Sequence, residues 1–174
     1  DKISSPACIF RKMTVRTALF LLFLTAAAAC FPVHARAAQS VQNITLYPGF
    51  NFICLLVAPD RPLSGLLSEN KAVSDIYSFN ARAGIFASAA AGSLTELAAG
   101  GGYIVVNGSA SQYSLLLSGE RPSAAGDITL KKGFNLVGFI KDIPGSYFSV
   151  VVEKNADIAG IYKWNPVSGS FIQV

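Results

Sequence analysis

The chain predicts a mainly β protein: an antiparallel sandwich or barrel-like domain with two pseudo-repeats and short helical turns, preceded by a helical signal peptide. Three observations carry this expectation. Apolar runs after residue 38 are short, rich in β-branched and aromatic residues, and bounded by Gly, Pro and Asn, which is the pattern of strands and turns. ITLYPGFN at residues 44–51 returns as ITLKKGFN at 128–135. Finally, residues 11–37 read RKMTVRTALFLLFLTAAAACFPVHARA, the layout of an export signal.

In that leader Arg11, Lys12 and Arg16 supply a basic start, Ala18–Phe31 a largely apolar run of 14 residues, and Ala35-Arg36-Ala37 small residues for cleavage after Ala37. Spanning a bilayer takes about 20 apolar residues, so a cleaved leader is favoured over a retained anchor. Met13 reads as the start of translation. Cys30 as a lipoprotein cysteine is disfavoured, because Ala27 stands where a Leu is usual. The expected divisions are 1–37 (upstream residues and signal peptide), 38–127 (first β repeat and linker) and 128–174 (second, incomplete repeat packing on the first).

The formal charge of +4 belongs to the leader. Five of the 14 Lys and Arg and one of the 10 Asp and Glu precede residue 38, and the remaining nine of each cancel. A neutral mature chain argues against nucleic acid or anionic lipid as a partner. The pair Lys131-Lys132 reads as a solvated turn. His34, Met13, Cys8 and Cys30 all lie before residue 38, which leaves Cys54 as the sole mature cysteine and excludes an intramolecular disulfide there.

The second half echoes the first. ITLYPGFNFICLL (44–56) aligns with ITLKKGFNLVGFI (128–140) at an offset of 84, and IYSFNARAGIF (76–86) with IYKWNPVSGSF (161–171) at 85. Two blocks in the same order at nearly constant spacing are read as an internal duplication. In each copy Gly49 or Gly133 marks a turn, and the runs Phe50–Val57 and Phe134–Ile140 are expected to be buried strands. Ser64 and Ser146 are candidate caps of short helical turns, although Val150–Val152 favours strand in the second copy. Asn80 to Gly84 and Asn165 to Gly169 read as hairpin loops. Leu94–Ala98 is a candidate helical turn, and YIVVN with YSLLLSGE a hairpin about Asn107-Gly108. Residues 87–120 have no second copy in the sequence. The 47 residues from 128 to 174 are too few to hold a core alone. They are expected to pack on the first repeat; a longer natural protein is the other reading.

Few reaction chemistries fit these residues. A mature chain without histidine lacks Ser-His-Asp and Cys-His arrangements, and its scattered ligands do not make a zinc or calcium site. Gly100-Gly101-Gly102 lacks the Lys-Ser/Thr and helix start of a phosphate loop. Glu96, Glu120 and Glu153 are nominal carboxylates for glycoside hydrolysis, with nothing placing a pair in a cleft. Cys54 aligns with Gly138, so it reads as a small buried residue. The expectation is no enzyme and no cofactor.

Aromatic residues are the only concentrated group. Tyr77 and Phe79 share one face of a strand, as do Tyr162 and Trp164, with Ile76 and Ile161 opposite. If the aromatic face is core, the rings supply bulk. If it is free, these four residues form a binding platform for sugar rings or a partner protein.

LYPGFNFI and LKKGFNLV, IYSFN and IYKWN, and GGGYIVV together resemble a family of bacterial extracytoplasmic, cell-surface repeat modules with L-x-x-G-[WF]-N-L-V, I-Y-x-[WFY]-N and G-x-G-Y-x-V segments. Phe50 and Phe134 stand where Trp is common, and the third segment occurs once. The resemblance implies an accessory β domain and carries over no catalytic residue. The resulting expectation is an exported, non-catalytic module for adhesion, assembly or protein binding at the periplasm, cell surface or exterior. The alternatives are a carbohydrate-binding module and an accessory domain of a larger exported hydrolase. A cell-surface protein or polysaccharide is the expected partner.

Overall fold

The computed structural model describes residues 39–124, 126–141 and 144–174. The predicted leader lies outside these residues. The protein is mainly β, with strands β1 (Gln39–Leu46), β2 (Gly49–Cys54), β3 (Ala58–Pro59), β4 (Val73–Asn80), β5 (Ile85–Ser88), β6 (Gly102–Asn107), β7 (Tyr113–Glu120), β8 (Tyr162–Asn165) and β9 (Ser170–Gln173). Helix α1 (Leu63–Glu69) separates β3 from β4, and α2 (Gly145–Lys154) precedes β8. Three antiparallel sheets run in the orders β1-β7-β3, β2-β6-β4-β5 and β8-β9, and among the described residues none closes into a barrel.

Alternation along the strands selects the core. Even-numbered residues of β1 and odd-numbered residues of β7 point inward, as the two-residue pleat requires. Leu46, Leu115 and Leu117 meet Ile76, Tyr103 and Val105 from the other large sheet, with Leu63 and Leu66 of α1 beside them. Gln42 also points inward. Its Nε2 donates to the Cys54 carbonyl at 2.8 Å, and its Oε1 accepts the Leu56 N–H at 2.8 Å. A polar clamp thus joins the first strand to the end of β2 without stranding a buried amide.

The chain changes sheets at one corner. β1 and β2 belong to different sheets although only Tyr47 and Pro48 separate them. Asn51 holds that step: Oδ1 accepts the Tyr47 N–H at 2.8 Å, and Nδ2 donates to the carbonyls of Tyr47 at 2.8 Å and Gly49 at 3.0 Å. Gly49 takes a φ of 85°, a conformation open to glycine at little cost. The expected β6–β7 hairpin is instead a second crossing. β6 is held between β2 and β4, so β7 pairs with β1 and β3 across the core. Asn107 secures it, donating from Nδ2 to Ser111 O at 2.8 Å and to Leu46 O at 3.3 Å, while Oδ1 accepts the Ser109 N–H.

Other expectations change. Ser64 and Ser146 do not cap helices; Pro62 and Pro144 occupy the N-cap positions with no side-chain bond, their fixed φ suiting a helix entry. Asn70 and Asn155 close the C-termini, each donating from Nδ2 to a carbonyl four residues back. The valine run is inside α2. Leu94–Ala98 is irregular, with Leu94 and Leu97 packed against the core. Residues 128–140 form no regular strand. β6 and β7, which pair the aligned residues of β2 and β1, are already engaged, and Val137 makes a single bridge to Gly101. Leu46 is therefore 0% exposed while its aligned residue Leu130 is 46% exposed.

Close approach fixes one further position. A Cβ on Gly119 would overlap the Ala58 carbonyl of the neighbouring strand. Gly119→Ala is expected to destabilise the fold by about 1–3 kcal/mol in urea unfolding, whereas Gly126→Ala, where a Cβ meets nothing, leaves the midpoint unchanged.

Candidate functional site

Register separates the two faces of β4. Ile76 pairs with Val105 and Tyr77 with Ile104; Ile76 is core, so Tyr77 and Phe79 lie on the outer face of the four-stranded sheet. Residues from 134 onward approach that face. The Phe79 ring lies 4.9 Å from Phe86 and 5.3 Å from Phe134. Trp164 lies 4.9 Å from both Phe52 and Phe171, and its Nε1 donates to the Phe50 carbonyl at 2.9 Å. These contacts are reciprocal: Phe79 aligns with Trp164, and Phe134 with Phe50. Phe79 and Trp164 are therefore partly covered in two separate clusters, Tyr77 is half-buried, and Tyr162 is 57% exposed. The four residues do not form one platform.

Cys54 joins the same interface. Its thiol donates to the Phe139 carbonyl at 2.9 Å, and its sulfur accepts the Phe139 N–H at 2.8 Å. Burial pushes its pKa up, against the opposing effect of the Phe139 backbone bond, so the reactive thiolate is disfavoured. A Cβ on Gly138 would crowd Cys54 Sγ at 2.5 Å and Gly101 O at 2.7 Å, and one on Gly102 would meet Val137 O at 2.9 Å. The glycine run thus lets two backbones approach closely.

Among the described residues Asp75 is the buried carboxylate. It follows a register shift in β4 and accepts from Ser88 Oγ at 2.6 Å, Ala90 N–H at 2.9 Å and Ile76 N–H at 2.7 Å. Burial opposes its charge, but these donors and the Tyr77 side chain together hold its pKa below the usual carboxylate value. The carboxylate in turn pushes the Tyr77 phenol up, chiefly as its hydrogen-bond acceptor. The group ties the β5 end to β4.

An exposed groove of about 430 Å³ lies between the β4–β5 turn, the glycine run and residues 127–138. Phe79, Asn80, Arg82, Asp127, Thr129 and Lys131 line it. Asn80 Oδ1 accepts the Arg82 and Ala83 N–H groups at 3.1 Å, which shapes the turn and leaves Nδ2 outward. Asn135 repeats the Asn51 bonding pattern, accepting Lys131 N–H at 2.9 Å and donating to Lys131 O and Gly133 O. Sequence reasoning placed Lys131 only on a solvated turn and gave Arg82 no role; neither motif nor spacing marks the groove, because two distant loops build it.

Glu96, Glu120 and Glu153 are exposed on a loop, β7 and α2 respectively. No group of three metal-ligand side chains occurs among the described residues, and no described helix is long and apolar enough to cross a membrane. Comparisons with family models, curated proteins and solved structures give no match.

Asp75→Asn is expected to cost about 1–3 kcal/mol at neutral pH, because buried donors lose their best acceptor. A carboxylate with a depressed folded pKa stabilises above its unfolded value of about 4 and loses that contribution as pH falls through the folded value. Thermal unfolding from pH 7 to pH 2 should therefore show the wild-type advantage shrinking with acid; parallel curves would contradict the assignment.

Proposed function

We propose that the chain is an exported, non-catalytic β module that works by binding at the cell surface, for adhesion or assembly with a partner protein. The observation that carries this reading is the apolar surface of the C-terminal elements. α2 has no buried residue, although it bears Tyr147 and Val150; with Tyr162, Phe171, Ile172 and Val174 these remain exposed. Apolar side chains left in water across three elements favour a partner contact. The leader supports export, and the surface-repeat resemblance supports an extracytoplasmic setting.

The architecture behind this reading is a two-layer sandwich derived from a duplicated unit. The Asn51 and Asn135 turns, the Asn80 and Asn165 loops and the asparagines ending both helices support the duplication. Reciprocal Phe79–Phe134 and Trp164–Phe50 contacts support a pseudo-two-fold packing of the halves. In this reading the aromatic residues first serve cohesion, and the exposed remainder, Tyr162 included, serves recognition. A second reading, polysaccharide binding, is favoured by the groove.

Binding of the labelled chain to intact cells of the producing organism, read by flow cytometry, tests the proposal. Tyr147→Asp with Val150→Asp should lower binding at least tenfold with an unchanged circular dichroism spectrum. Wild-type binding by that variant would refute the role of this surface.

A further inference from the structure

We propose that the groove beside the β4–β5 turn binds the carboxylated sugar units of an acidic polysaccharide. This goes beyond the surface-binding reading: it stands on residues separate from the apolar surface of α2, β8 and β9.

The groove presents the chemistry such a unit requires. Arg82 lines it from the β4–β5 turn and Lys131 from the 127–138 segment, with a single carboxylate, Asp127, in the lining. Among the described residues neither cation has a hydrogen bond from its charged group or an ion pair; the described ion pair joins Arg61 to Glu69 elsewhere. A local excess of one positive charge, in a mature chain whose charges cancel overall, suits a monoanionic carboxylate. The planar guanidinium matches a carboxylate in a two-pronged arrangement, and the ammonium adds a second donor group. Asn80 Nδ2 and Thr129 Oγ1 lack intramolecular partners among the described residues and offer contacts to ring hydroxyls, as Asp127 offers acceptors. Phe79, although packed against Phe86 and Phe134, still lines the groove and adds apolar surface for the C–H edge of a ring. Gly100, Gly101 and Gly102 contribute lining without side chains.

Shape favours a chain segment over an isolated ion. A volume of about 430 Å³ is within the usual range for small organic ligands, and the groove is open to solvent, so a polymer could continue past it. The aligned positions do not repeat the site: Arg82 aligns with Val167 and Lys131 with Tyr47, so both cations are missing there, and the proposal expects one binding event per chain.

Isothermal titration calorimetry of the purified chain with trigalacturonate, neutral galactotriose and inorganic phosphate tests the inference. Trigalacturonate should bind with a stoichiometry of one and weaken between 50 and 500 mM salt, as expected for a charge contact in solvent. Galactotriose and phosphate should bind at least tenfold more weakly. Arg82→Ala should reduce trigalacturonate affinity at least tenfold and Lys131→Ala several-fold, with unfolding midpoints unchanged, while Lys163→Ala has no effect. No trigalacturonate binding, equal binding of the neutral trimer or phosphate, or full affinity in Arg82→Ala would overturn it. Cell binding lost in Tyr147→Asp/Val150→Asp but retained in Arg82→Ala would separate failure of the groove from failure of the surface reading.

Discussion

Two buried amides at one corner govern how this chain passes between its two larger antiparallel sheets. Asn51 and Asn107 are 3% and 2% exposed, and each sits where the chain leaves one sheet for the other. A sheet change interrupts the ladder, and the interrupted backbone groups cannot be left unpaired inside a core. The two asparagine side chains replace the missing backbone partners, and they lie close because Gly49 of β2 pairs with Asn107 of β6. With the corner held, β7 is carried across to β1 and the apolar faces close on one another.

The outer face of the four-stranded sheet follows from that closure. With Ile76, Tyr103 and Val105 turned inward, the pleat sends Phe52, Tyr77 and Phe79 outward. Such a face would be an exposed apolar sheet if left bare. Phe134 covers Phe79, Trp164 and Phe171 cover Phe52, and Cys54 with the glycine run lets residues 137–139 close in. The rings that looked most like a ligand platform are thus largely committed to cohesion, and the proposed recognition rests on other groups: Tyr147, Val150 and Tyr162, and the cations of the groove.

Local signals were legible in the sequence to different degrees. The glycine turns, the asparagine loops and the division of β4 into an isoleucine face and an aromatic face could be read directly, because each depends on neighbours a few residues away; which of those faces is core could not, because that depends on what packs against the sheet. The sheet changes could not: YIVVN, Asn-Gly and YSLLL look like a hairpin, and only competition from β2 and β4 for β6 rules that out. The same competition hid the fate of ITLKKGFN. Its turn forms as in the first copy, but its flanks stay irregular because a strand needs a partner as well as a pattern. The groove was invisible for a related reason, since Arg82 and Lys131 meet through tertiary packing.

Urea unfolding of Asn51→Ala beside Asn135→Ala tests most directly whether the corner amide organises the fold. The two asparagines make the same local turn bonds, but only Asn51 does so inside the core. Asn51→Ala should lose about 2–3 kcal/mol, in line with stranding buried polar groups, and Asn135→Ala well under 1 kcal/mol, in line with an exposed turn that water can satisfy. Equal small losses would contradict the account.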